Sequence, residues 1–244
     1  MTLPLPQVTT PTYDVTIPSS GKTIKIRPFL VKEEKLLLMA TQSKDTNEII
    51  STVRQVINNC LVDSDVTVDN LAFFDIDYLF IALRAKSIGE TVELQFTCNA
   101  TNEEGNRCGQ IFPVEVDISK AHVVKDKELE DKVWITDTIG VKFKYPKYSV
   151  MRSLADVQDP YEQKSRMIYA CIDFIFDKDN VYSVKDYTKE DFEKFFDSLT
   201  VAQLEKLEEW VDNLPTFAVD LEKKCDKCGF NHKIRYDDFA SFFL

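Results

Sequence analysis

Four of the six cysteines stand where residue type and spacing could do chemistry. Cys225-Asp-Lys-Cys228 is a pair separated by two residues, and Gly229 follows it at once. Far upstream, Cys98 and Cys108 bracket a polar stretch over 99–107, and Gly109 follows in turn. The flanks resemble each other: Val92-Glu-Leu94 lies six to four residues before Cys98, and Val219-Asp-Leu221 six to four before Cys225. A glycine after each second cysteine suits the tight backbone turn of a metal knuckle. Two hairpins that each offer a pair of thiolates can build a tetrahedral zinc site with no position left for water. The chemistry expected of Cys98, Cys108, Cys225 and Cys228 is therefore a structural staple, with Zn as the cofactor. Against it, the nine residues between Cys98 and Cys108 exceed the usual two to four of a knuckle, and four ordinary thiols are the plain alternative. His232, four residues beyond Cys228, could replace one cysteine as a ligand; otherwise it reads as a surface histidine on a strand.

Those cysteines need strands to hold them, and the patterning supplies strands. Alternation over 91–97 leads into Cys98, and Ile111, Phe112, Val114 and Val116 mark the return. A strand over 216–224 leads into Cys225, and another over 231–236 leaves Cys228. Upstream, 13–17 and 22–27 alternate about a Pro-Ser-Ser-Gly turn, and a further hairpin joins 133–135 to 141–145. Helical periodicity covers 30–40, a segment from Asp45 or Thr46 to Leu61, and 69–86, the last apolar over most of its circumference and ended by Gly89. In the second half, Asp159-Pro160 opens a helix expected to run through Cys171 and Ile172 to Ile175. Thr188 with Asp191, and Thr200 with Gln203, carry the spacing of N-terminal caps, the second opening a helix that stops at Pro215. Cys60 and Cys171 fall within apolar helical patterns and read as small core residues.

The expected class is α+β: two helical clusters joined by a small antiparallel β region that carries a zinc-ribbon-like four-cysteine site. The expected segments are an extended arm over 1–12, a hairpin plus helices over 13–90, hairpins with the first cysteine pair over 91–147, a helical region over 148–215, and a knuckle hairpin with its tail over 216–244. Phe239, Phe242, Phe243 and Leu244 either pack back over the knuckle strands or offer an apolar peptide to a partner.

A net charge of −11 opposes a nucleic-acid surface, which needs a basic stripe to release counterions. With 17 Phe and 9 Tyr against 6 Gly, the chain is a packed globule whose partners are expected to be proteins. No run approaches the ~18 apolar residues of a membrane span. The start lacks the basic and apolar segments of a signal peptide, so a reducing cytoplasm is expected. Only two histidines occur, no Gly-rich phosphate loop and no Gly-x-Ser-x-Gly. Asp75 and Asp77, two apart on a helix, do not share a face. No enzymatic activity is expected.

Residues 26–40 (Ile-Arg-Pro-Phe-Leu-Val-Lys-Glu-Glu-Lys-Leu-Leu-Leu-Met-Ala), Phe74-Asp-Ile-Asp-Tyr-Leu-Phe80 and Arg84-Ala-Lys-Ser-Ile-Gly-Glu90, running on into Val92-Glu-Leu94 and Cys98, carry a resemblance. Over roughly 20–120 the chain is similar to the baseplate hub assembly proteins of T-even-type contractile-tailed bacteriophages. The resemblance implies a virion-assembly role, as a hub subunit or assembly chaperone whose partners are baseplate hub and tape-measure proteins. It implies a place in the host cytoplasm during assembly and in the tail baseplate if the protein is retained. The alternative from another class is a zinc-ribbon adaptor of nucleic-acid machinery.

Overall fold

The computed structural model describes residues 8–43, 45–62, 65–125, 129–155, 157–237 and 242. The segment expected as an arm over 1–12 lies largely outside that set, as do Phe239, Phe243 and Leu244. The fold is α+β, with seven α-helices and four small antiparallel sheets among the described residues. It divides into two compact units: one takes in Met1–Val68, Asp75–Val123 and Phe217–Leu244, the other Asp69–Phe74 and Val124–Thr216.

In the first unit, β1 (Tyr13–Thr16) pairs with β2 (Thr23–Ile26), and the turn between them places Gly21 at φ 68°. Helices α1 (Val31–Ser43) and α2 (Thr46–Cys60) follow, and the Asp45 carboxylate caps α2 by accepting from the N–H groups of Asn47 and Glu48. Helix α3 (Phe73–Ser87) is shorter at its start than the periodicity indicates, because Val68–Asn70 forms a 3-10 turn of its own. Ile76, Leu79, Phe80, Ile81, Leu83 and Ala85 are all buried on it, so α3 is enclosed on every side, as its apolar circumference requires. Two interior acids of this unit have partners. Asp75 accepts from Ser19 N at 2.8 Å and from Ser19 Oγ at 2.5 Å. The fully buried Glu33 accepts from Leu30 N at 2.8 Å and from Arg27 Nη2 at 3.2 Å.

Strands β3 (Thr91–Thr97) and β4 (Ile111–Asp117) form one hairpin. Strands β10 (Thr216–Lys224) and β11 (Asn231–Tyr236) form another, whose sheet is completed by β5 (His122–Val124). Three of these four hairpin strands, β3, β10 and β11, coincide with the ranges read from alternation. Phe242 is fully buried edge-on to Phe217 and Tyr236, so this much of the C-terminal tail packs against the β10–β11 hairpin as core.

The second unit is built on a sheet in the order β6 (Lys132–Trp134), β7 (Gly140–Phe143), β8 (Ile172–Phe176), β9 (Val181–Ser183). Helices α4 (Tyr148–Ala155), α5 (Pro160–Cys171), α6 (Lys189–Asp197) and α7 (Val201–Asp212) accompany it. The expected helix from Pro160 to Ile175 is corrected here, because the helix stops at Cys171 and the chain turns directly into β8. The run Ile-Asp-Phe-Ile-Phe is β-branched and aromatic, and β7 and β9 on either side satisfy its backbone. Phe143 stacks on Trp210 with centroids 4.4 Å apart at 10°, and Trp210 Nε1 donates to the Glu130 carbonyl at 3.0 Å. The apolar stripe of α7 is thus core through Leu207 and Trp210. The arrangement expected from sequence, one β region joining two helical clusters, is also corrected: each unit contains both helices and sheet, and both cysteine hairpins belong to the first.

Candidate metal centre

Each cysteine pair is closed by the same two backbone hydrogen bonds. Cys98 N donates to the Gln110 carbonyl at 2.8 Å, and Cys225 N donates to the Phe230 carbonyl at 2.9 Å. In both cases the acceptor lies two residues past the second cysteine. Gly109 N donates back to the Cys98 carbonyl at 3.1 Å, and Gly229 N to the Cys225 carbonyl at 2.9 Å. Gly109 and Gly229 sit at φ 63° and 74°, the left-handed region that side chains disfavour. The extra length between Cys98 and Cys108 folds away as a small excursion. Cys108 N donates to the Ala100 carbonyl, Thr101 bridges Arg107, and the Asn102 side chain accepts from the N–H groups of Glu104 and Asn106. The wide sequence spacing and the narrow one therefore present the same knuckle.

The two knuckles meet. The sulfurs of Cys98, Cys108, Cys225 and Cys228 lie within 4.8 Å of one another. Cys98 Sγ is 3.6 Å from Cys228 Sγ, and Cys108 Sγ is 3.9 Å from Cys225 Sγ. Four thiolates at about 2.3 Å from one tetrahedral ion have edges of roughly 3.8 Å, so this donor set fits zinc in size and softness. Lys227 Nζ donates to the Cys108 carbonyl at 3.3 Å, a further link from one hairpin to the other. Cys98 and Cys225 are buried, Cys108 is half-buried and Cys228 is exposed.

The electrostatics of two of the thiols differ. Burial pushes the Cys98 thiol up to about 12, whereas the Cys228 backbone N–H, acting against burial, draws Cys225 down to about 7. Cys225 therefore ionises readily, whereas the buried Cys98 needs a positive charge at the centre to do so. The other two thiols differ: Cys60 and Cys171 are fully buried in helices α2 and α5 and are raised to about 11 and 12 by desolvation. They are core residues, as their apolar settings indicated.

His232 is not the surface histidine its position suggested. It is buried, with Nε2 3.1 Å from Cys98 Sγ, and its ring packs against Phe96 at 5.1 Å and Phe230 at 4.8 Å. As the Nε2–H tautomer it donates to the sulfur, a contact that would steady Cys98 as a thiolate were it to hold a metal. The burial pattern of β11 could have revealed this, since His232 shares a face with the buried Ile234. His122 forms part of the short strand β5 and lies exposed, 3.4 Å from Asp220.

A sequence model of the family described as T4 bacteriophage base plate protein matches residues 10–244. The chain belongs to that family. No curated protein and no solved structure gave a match. Membership extends the resemblance, which the sequence carried over its first half, through both cysteine pairs to the C-terminus. For a baseplate protein it implies a place in the phage tail and other baseplate proteins as neighbours. Among the described residues, no helix is long and apolar enough to cross a membrane.

Proposed function

We propose that this baseplate-family protein is a non-enzymatic hub assembly factor or hub subunit. It engages hub and tape-measure proteins in the host cytoplasm while the tail is built. The observation that carries the reading is the family match over nearly the whole chain. The acidic charge supports protein partners over nucleic acid. Cys98, Cys108, Cys225 and Cys228 hold one structural Zn²⁺, which supplies folding energy on the order of 10 kcal/mol, as large as the ~5–15 kcal/mol stability of a whole domain. A donor set of four sulfurs leaves no position for a substrate or an activated water, which supports a scaffold over a hydrolase.

Infection with phage lacking this gene product tests the role. Baseplates stalled at the hub stage, rescued by the protein in trans, are the expected outcome; baseplates of normal composition would refute it. Mass spectrometry of mature particles then separates a retained subunit from a departing chaperone.

A further inference from the structure

Arg84 is the least expected side chain in the first unit. It lies on the last turn of α3 with only 6% of its surface exposed. Its Nε and Nη1 are buried, and among the described residues neither has a hydrogen-bond partner. An Arg at a helix C-terminus has a bland use, since it complements the helix dipole from the surface. That use does not require burial. Desolvation works against the charge here and lowers the tendency of Arg84 to hold its proton, with no acceptor to offset it. Glu33 and Asp75 in this unit, by contrast, are matched, Glu33 by Arg27 and Leu30 N and Asp75 by Ser19.

Arg84 also lines a pocket. About 150 Å³ lies open beside it, walled by Phe29, Leu37, Leu38, Phe80 and Ile88. Glu34 stands on the rim, exposed, and makes no ion pair with Arg84. Two of the pocket's walls are apolar side chains left open to solvent: Leu38 is 40% and Ile88 58% exposed. A guanidinium fork in an apolar pocket is built for a planar oxyanion carried on an apolar body, because bidentate N–H···O pairing is what its geometry offers.

We infer that the pocket between α1 and α3 docks an acidic, otherwise apolar segment of a partner protein, whose carboxylate pairs with Arg84 and whose side chains cover Leu38 and Ile88. Charge complementarity selects this occupant: an unpaired buried cation rejects a purely apolar or basic segment. The inference deepens the assembly role proposed above, and it gives that role a surface. The Arg-Ala-Lys-Ser-Ile-Gly-Glu segment then does more than end a helix, since its first residue reads the partner.

The test separates the surface from the role. Side-chain NMR of the whole, metal-loaded protein is followed during titration with 3-phenylpropionate, an apolar carboxylate, and in parallel with 3-phenylpropionamide. The acid is expected to shift the Arg84 Nε–H and the Leu37, Leu38 and Ile88 methyls at least tenfold more strongly than the amide. Arg84→Met should remove that response while leaving the melting temperature unchanged or higher, since it removes an uncompensated buried charge. Equal responses to acid and amide, or none, would overturn the inference. So would an Arg84→Met protein that melts lower yet still discriminates the acid. Self-association abolished by Arg84→Met would make a second copy the occupant and overturn it too. None of these measurements needs another phage protein, so failure here leaves the baseplate role standing, and failure of the genetic test leaves the pocket standing.

Discussion

Two acids on neighbouring elements have opposite electrostatics, and each gives a signed prediction. Half-buried Asp77 is raised from its usual value to about 7 by desolvation. The folded chain then holds a proton that the unfolded chain has released, so stability falls as pH rises from about 4 to about 7 and is flat above. At ~1.4 kcal/mol per pKa unit, and allowing for the water that still reaches the side chain, Asp77→Asn should add roughly 1–3 kcal/mol at pH 8. It should add almost nothing at pH 4; urea melts at the two pH values check this. Glu33 goes the other way. Burial pushes its carboxyl up, but the Leu30 N–H and Arg27 more than offset this and hold it below the usual range. Its contribution is present above the unfolded value and is lost as pH falls, so Glu33→Gln should cost about 1.5–3 kcal/mol at pH 7 and progressively less in acid. Neither acid's setting was legible in the sequence. Spacing showed correctly that Asp75 and Asp77 share no face, but only the fold brings Ser19 to Asp75 and leaves Asp77 without such a donor. For His232, alternation with Ile234 could mark the inward face, but its neighbours Phe96 and Cys98 lie over a hundred residues upstream and only the fold supplies them.

Elements were legible where their signal is local. The Thr188–Asp191 box is formed in both directions, with Thr188 N donating to Asp191 at 3.0 Å and Asp191 N to Thr188 Oγ1 at 3.3 Å. Thr188→Ala should cost about 1 kcal/mol, read as a lower melting temperature. The strands that flank the cysteines could be read because alternation and turn glycines agree there. The change from α5 to β8 could not, since Ile168, Cys171, Ile172 and Ile175 suit a helical face and a buried strand equally. What decides is nonlocal pairing with β7 and β9. Gly140 on β7 shows how tight that pairing is: a Cβ there would stand 2.4 Å from the Phe176 ring opposite. Gly140→Ala should therefore destabilise the sheet by about 1–3 kcal/mol through overpacking, with the loss falling on tryptophan fluorescence because Trp134 packs edge-on to Phe176.

For the whole molecule, the four-cysteine cluster brings together chain segments more than a hundred residues apart within one unit. That these four cysteines come together was readable from spacing, while the closure of the long 99–107 excursion, which makes two unequal spacings equivalent, was not. Cys228→Ser should unfold the paired hairpins and, with them, any surface the first unit displays; far-ultraviolet circular dichroism with and without added Zn²⁺ would follow it. The most direct measurement is the metal content of the folded protein, by native mass spectrometry alongside elemental analysis after purification without chelator. One Zn²⁺ per chain is predicted, with none of the six thiols reacting until a chelator is added. A folded chain without metal, in which Cys108 and Cys228 react freely, would contradict the account.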